Sequence, residues 1–77
     1  MKELTEMEKR VVVCLAQTGA TNAEIGKMLH MPTGTVKTHL RFAMLKLGVK
    51  NRTALAAIAW KEGWVMSDVR GGDDGKR

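Results

Sequence analysis

The sequence predicts an all-α fold, a four-helix domain containing a helix–turn–helix, and three observations carry that prediction. Apolar residues recur at helical spacing in successive segments, two of which open with a capping box, Thr5 with Glu8 and Thr21 with Glu24. Glycines at 19, 48 and 63 and the lone proline at 32 stand where those segments end. The stretch from Thr21 to Leu47 then reads as two helices joined by a tight bend, the shape that a major groove admits.

The first helix is expected to begin at Glu6, because the Thr5 hydroxyl and the Glu8 carboxylate each satisfy an orphan backbone N–H at its start, a cap worth ~1 kcal/mol. Val11, Val12 and Leu15, with Cys14 alongside, form its apolar stripe; Val13 falls off the stripe, and Gly19 stops the helix. Glu8 lies nearly in line with Val11 and Val12, so its carboxylate is expected at the edge of the interior. There it needs a basic partner, and Lys46 and Arg52 are the candidates.

The second helix runs from Asn22 to about His30, with Ile25, Met28 and Leu29 as its buried face. Gly26 sits where the two helices of a helix–turn–helix approach most closely, and lacking a side chain there costs ~1 kcal/mol of helix propensity relative to alanine. Pro32 prevents continuation. The third helix runs from about Thr33 to Leu47 on a core stripe of Val36, Leu40, Ala43, Met44 and Leu47, which leaves Lys37, Thr38, Arg41 and, further along, Lys46 on the opposite face. Asn51 is a good N-cap for a fourth helix, TALAAIAWKEG, ending at Gly63. Leu55, Ile58 and Ala59 should pack inward, while Ala54, Ala56, Ala57 and Ala59 permit close approach of another helix, either the first one or that of a second copy. For Trp60 and Trp64, core packing is preferred over a partner contact. Residues 1–65 thus form one domain, and 66–77, glycine-rich and polar, read as a flexible tail.

The net charge of +5 is concentrated rather than spread: residues 1–24, 25–61 and 62–77 carry −1, +7 and −1. The central stretch has seven basic residues and no acidic one, the footprint of a domain that neutralises phosphates, with a merely solvated basic face or another acidic partner as the alternatives. No apolar run approaches the ~20 residues that span a bilayer, and MKELTEMEKR lacks the apolar segment of a signal peptide. A lone Cys14 forms neither an internal disulfide nor a cysteine-based zinc site and reads as a small buried apolar residue. Paired carboxylates, a nucleophile with its base, a glycine-rich phosphate loop and a metal-ligand cluster are all missing, so an enzyme is not expected. At 77 residues any ligand pocket would compete with the core for the same side chains, and no cofactor, metal or small-molecule ligand is expected.

Leu4-Thr5 with Glu8, Asn22-x-Glu24-Ile25, Thr35-Val36-Lys37-Thr38-His39, Lys46-Leu47-Gly48-Val49 and Arg52 occur in the order and spacing of one family. Over Leu4 to about Trp60 the chain resembles the C-terminal DNA-binding domain of LuxR-type bacterial transcription regulators. The resemblance implies a tetrahelical fold whose third helix enters the major groove, with Lys37, Thr38 and Arg41 facing the bases. It also implies phosphate contacts from Lys27, Lys46, Lys50 and Arg52 and from helix starts at Thr21, Thr33 and Thr35. His39 fits the family pattern but reads as a packed or capping residue in preference to a base reader. Met7 stands where the family usually has arginine, Pro32 where it has a capping serine, and Gly34 where it is often basic or polar. A different cap at Thr33 and one phosphate contact fewer are therefore expected. Family members usually carry a sensor or receiver domain ahead of this one; here Met1 lies directly before it, and the chain reads as a stand-alone regulator rather than an excised piece.

The expected function is a sequence-specific DNA-binding transcription regulator, cytoplasmic and nucleoid-associated, acting on double-stranded DNA as a homodimer. Leu55, Ala56, Ala59 and Trp60 of the fourth helix are the expected dimer surface. The alternative is a small adaptor that binds an RNA polymerase subunit or another regulator through that helix.

Overall fold

A computed structural model of the chain describes residues 3–65. The predicted tail, 66–77, lies outside the described residues. Four helices follow in order: α1 (Glu6–Thr18), α2 (Asn22–Leu29), α3 (Thr33–Leu47) and α4 (Arg52–Lys61).

Local chemistry fixes their starts. Thr5 Oγ1 accepts from the Glu8 N–H at 3.1 Å while Glu8 Oε1 accepts from the Thr5 N–H at 2.9 Å, and Thr21 and Glu24 repeat the arrangement at 3.2 and 2.9 Å. Asn51 caps α4 by accepting from the Ala54 N–H. At α3 the expected Thr33 cap is replaced: Thr33 is the first helical residue, Pro32 is the cap, and no side chain accepts from the first turn. Proline serves there because its fixed φ suits the cap position, while it has no hydroxyl to offer. Gly19 and Gly48 end α1 and α3 at φ 67° and 72°, and His30 ends α2 in the same left-handed region at φ 59°. That non-glycine terminator is not foreseeable from the residue pattern.

α1 packs against α3 and α4, and α2 against α3. Val11, Val12 and Leu15 meet Ile25, Val36, Leu40, Ala43, Leu55 and Ala59 in one core, closed by Cys14, Ala20 and Val65. Each large aliphatic side chain buried there contributes about 1.5–3 kcal/mol against exposure. Val13, Leu29, Met44 and Leu47 are half-buried against that core. The interior is small, and polar clamps at its edge matter accordingly. Glu8, 4% exposed, is paired with Lys46 at 2.7 Å, joining α1 to the end of α3. Arg52, the other candidate partner, instead reaches the Asn22 Oδ1 at 2.6 Å and the Ala20 carbonyl at 2.9 Å, tying the start of α4 to the start of α2.

Three further expectations change. Met28 is 46% exposed rather than buried, because Ile25 and Gly26 fill the contact with α3 and place position 28 on the flank, its sulfur 3.9 Å from Cys14 Sγ. Leu55 and Ala59 are fully buried and so belong to the core, not to a partner surface. Trp60 is 48% exposed, its indole N–H donating to the Ala16 carbonyl at 3.3 Å, whereas Trp64 is half-buried under the Lys9 ammonium, 5.1 Å from the ring centroid.

Candidate nucleic-acid interface

The bend between α2 and α3 is held by backbone contacts that leave no room for a side chain at position 26. The Gly26 carbonyl accepts from the Met31 N–H at 2.8 Å, and a Cβ on Gly26 would lie 2.5 Å from the Met31 carbonyl oxygen. Only glycine lets the chain turn that tightly against α2 and send α3 off with Val36 facing the core. Because successive helical residues turn about 100°, anchoring Val36, Leu40 and Ala43 inward forces Thr38 and Arg41 outward. Lys37, Thr38 and Arg41 are all exposed and share that outer side of α3.

Among the described residues neither Lys37 nor Arg41 enters an ion pair. The Thr38 hydroxyl donates to the Gly34 carbonyl one turn back at 3.0 Å, which commits its proton to the helix. The segment 25–61, which contains α3, holds seven cations and no carboxylate, a local excess of positive charge that favours a polyanion. With Pro32 as cap, the first-turn N–H groups of α3 have no side-chain acceptor, and Lys27, His30 and Thr33 line one shallow depression beside them. Exposed N–H groups, a helix dipole and a nearby ammonium together favour an anion.

The remaining expected contact residues divide into two groups. Thr21, Lys27, Thr33, Thr35 and Lys50 are exposed, although the Thr21 oxygen is occupied by its capping bond. Lys46 and Arg52 are spent inside the fold on Glu8 and on Asn22 with Ala20. Burial works against the Glu8 charge, but Lys46 and the Thr5 N–H outweigh it and hold the carboxyl below its ordinary pKa. Lys46 is thereby committed to a partner that stays ionised.

Two exposed residues on the same helix are absent from the sequence reading: Phe42, 47% exposed, and Leu45, 69% exposed. Their signal was available. Counting from Thr38, positions 38, 41, 42 and 45 are the i, i+3, i+4 and i+7 set of one helix face. On α4, the exposed stripe consists of Thr53, Ala57 and Trp60 with half-buried Ala56 between them. No cluster of metal-ligating side chains occurs among the described residues, and none of their helices is long and apolar enough to cross a membrane.

The sequence is similar to several curated regulators. The putative HTH-type transcriptional regulator YhjB of Escherichia coli is 43% identical over 56 residues, which are 73% of this chain and 28% of YhjB. The transcriptional regulatory protein LiaR of Bacillus subtilis is 41% identical over 58 residues, 75% of this chain and 27% of LiaR. The CsgBAC operon transcriptional regulatory protein of Escherichia coli is 44% identical over 57 residues, 74% and 25% of the two chains. The chain therefore spans about a quarter of the length of these relatives. The GerE model, described as bacterial regulatory proteins of the luxR family, matches residues 2–59, which contain both capping boxes, the Gly26 bend and the outward face of α3. A match across most of the sequence, joined to four helices that hold one cationic helix face outward, leaves one assignment: the chain belongs to the LuxR family of bacterial regulatory proteins.

Proposed function

We propose that this chain is a sequence-specific DNA-binding regulator of transcription that inserts α3 into the major groove. The observation that carries the proposal is the outward face of α3, where Lys37, Thr38 and Arg41 stand exposed without acidic partners among the described residues. Lys37 and Arg41 reach guanine O6 and N7, and the Thr38 methyl touches a thymine methyl. Lys27, Lys50 and the start of α3 at Thr33 and Thr35 meet phosphates and set the register of the helix in the groove. Thr21, its oxygen already used as a cap, keeps only its hydroxyl proton for a phosphate. Lys46 and Arg52 are left out of the contact set, since leaving Glu8 or the Asn22 carbonyl unpartnered would oppose any gain at a phosphate.

One recognition helix covers only a few base pairs, so two copies on paired half-sites are the economical arrangement. The self-contact is assigned to the α4 stripe of Thr53, Ala56, Ala57 and Trp60, because Leu55 and Ala59 are occupied by the core. An exposed tryptophan flanked by alanines lets two such helices approach closely around an aromatic anchor. Acting on chromosomal DNA, the protein works in the cytoplasm on the nucleoid.

The test is a binding isotherm on a duplex selected from a random pool. Affinity should fall steeply with salt, and Lys37→Ala with Arg41→Ala should erase the preference for the selected duplex over random DNA while the thermal transition is unchanged. Each lost bidentate contact is worth about 1–3 kcal/mol of discrimination. Survival of the preference in the double variant would refute the assignment of the reading face.

A further inference from the structure

The outward face of α3 is cationic and polar only in its first half. Beyond Arg41 it continues as Phe42 and Leu45, both exposed and both on the face that Thr38 and Arg41 define. Leu45 lies two turns beyond Thr38, about 10.5 Å along the helix or about three base steps of a groove. An apolar patch of this size is ordinary on a protein surface, and it is the position of these two side chains, on the face that carries Thr38 and Arg41, that gives them meaning.

Size and charge decide what they meet. Two half-exposed side chains offer on the order of 200 Å², far below the ~800 Å² per partner of a stable protein interface. They follow Arg41 on that face, within a segment of charge +7 that lacks any acid, a setting complementary to a polyanion. The apolar groups that a polyanionic duplex presents in its major groove are the C5 methyl groups of thymine.

We propose that Phe42 and Leu45 belong to the reading face and pack on thymine methyl groups, so that the half-site carries thymines beside the base met by Arg41. This rests on α3 being the reading helix. It adds a specificity element for methyl-bearing steps to the hydrogen-bonding positions 37 and 41.

The experiment uses the full chain and the duplex recovered from a random pool, with each thymine of the half-site replaced in turn by uracil, which keeps every hydrogen-bonding edge and removes only the methyl. Wild type should lose about fourfold in affinity per contacted methyl, the ratio given by ~0.8 kcal/mol for one buried methyl group. Phe42→Ala and Leu45→Ala should each become insensitive to uracil at one of those positions and remain sensitive at the position met by Thr38. Both residues are exposed, and an unchanged thermal transition verifies the fold. Wild-type affinity of both variants for the thymine duplex, or unaltered uracil sensitivity, overturns the proposal while leaving the reading helix in place. A change in self-association without a change on DNA overturns it in favour of a second copy. Recovery of no preferred duplex from the pool removes the reading helix itself, and the proposal with it.

Discussion

Replacing Lys46 with methionine keeps an unbranched stem of the same length, without the terminal ammonium, and strands a carboxylate that is 4% exposed. Removing one partner of a fully buried pair costs about 3–5 kcal/mol, and Lys46, whose side chain is 25% exposed, lies at the rim, so about 2–3 kcal/mol is expected here. In a domain of this size each kcal/mol moves the melting temperature by roughly 4–8 °C, which makes the loss large in a thermal melt or a urea titration. Glu8→Gln supplies the control, because a glutamine oxygen still accepts from the Thr5 N–H and preserves the capping box while discarding the charge. In that background Lys46→Met should cost less than about 1 kcal/mol, since no buried charge is then stranded. The pair also has a pH signature. Glu8 titrates below its ordinary 4.5, so its stabilisation is fully present above that value and is lost as pH falls through the lower folded one. The wild-type melt should therefore drop steeply in that acid window, and the Glu8→Gln melt should not. Equal costs of Lys46→Met in both backgrounds, with a weakened salt dependence of DNA binding, would refute the clamp and return Lys46 to the phosphates.

Gly26→Ala should destabilise the domain by about 1–2 kcal/mol in urea titration despite a helix-propensity gain of ~1, because the new Cβ falls 2.5 Å from the Met31 carbonyl; a stabilised variant would contradict the close approach. Arg52→Lys should lower stability by about 1–2 kcal/mol, since an ammonium cannot span the Asn22 and Ala20 oxygens as the guanidinium does, and unchanged stability would argue for a solvated arginine. Ala57→Arg should leave the fold intact and abolish two-copy binding in sedimentation on a paired half-site duplex; persistence of the two-copy complex would move the self-contact off α4.

What the sequence discloses here is the chemistry that stays within one turn. Both capping boxes, the Asn51 cap and the glycine stops involve partners three or four residues apart, so residue type and spacing suffice to place them. The outward set Lys37, Thr38 and Arg41 is legible for the same reason, as the complement of a core stripe at helical spacing. Choices between distant partners are not legible. Lys46 and Arg52 are 38 and 30 residues from the Glu8 and Asn22 side chains they bind, and only the packing of all four helices decides that Lys46 takes Glu8 and Arg52 takes Asn22. Met28 fails as a core residue because a helical pattern with small Gly26 beside Ile25 does not say how wide the buried strip is. For Phe42 and Leu45 two signals conflict, since apolar character favours the interior while helical spacing puts both on the outer face, and the packing follows the spacing.

The two internal clamps set a bound on electrostatics that is open to measurement. Of the seven cations between 25 and 61, Lys46 and Arg52 hold helices together, leaving Lys27, Lys37, Arg41, Lys50 and Lys61 exposed. If all five met phosphates, the affinity of one copy would fall with a log–log salt slope of about −4.5 from this segment, and of two copies about −9. With Lys37 and Arg41 turned to bases and Lys61 on α4 outside the contact set, the phosphate share shrinks to Lys27 and Lys50, about −1.8 per copy. Titration of Lys37→Ala with Arg41→Ala should then alter sequence preference far more than slope, whereas Lys27→Ala and Lys50→Ala should each lower the slope by about one and spare the preference. A reversal of that pattern, preference lost at Lys27 or Lys50 and slope lost at Lys37 or Arg41, would mean that the bases are read from a surface other than the outward face of α3.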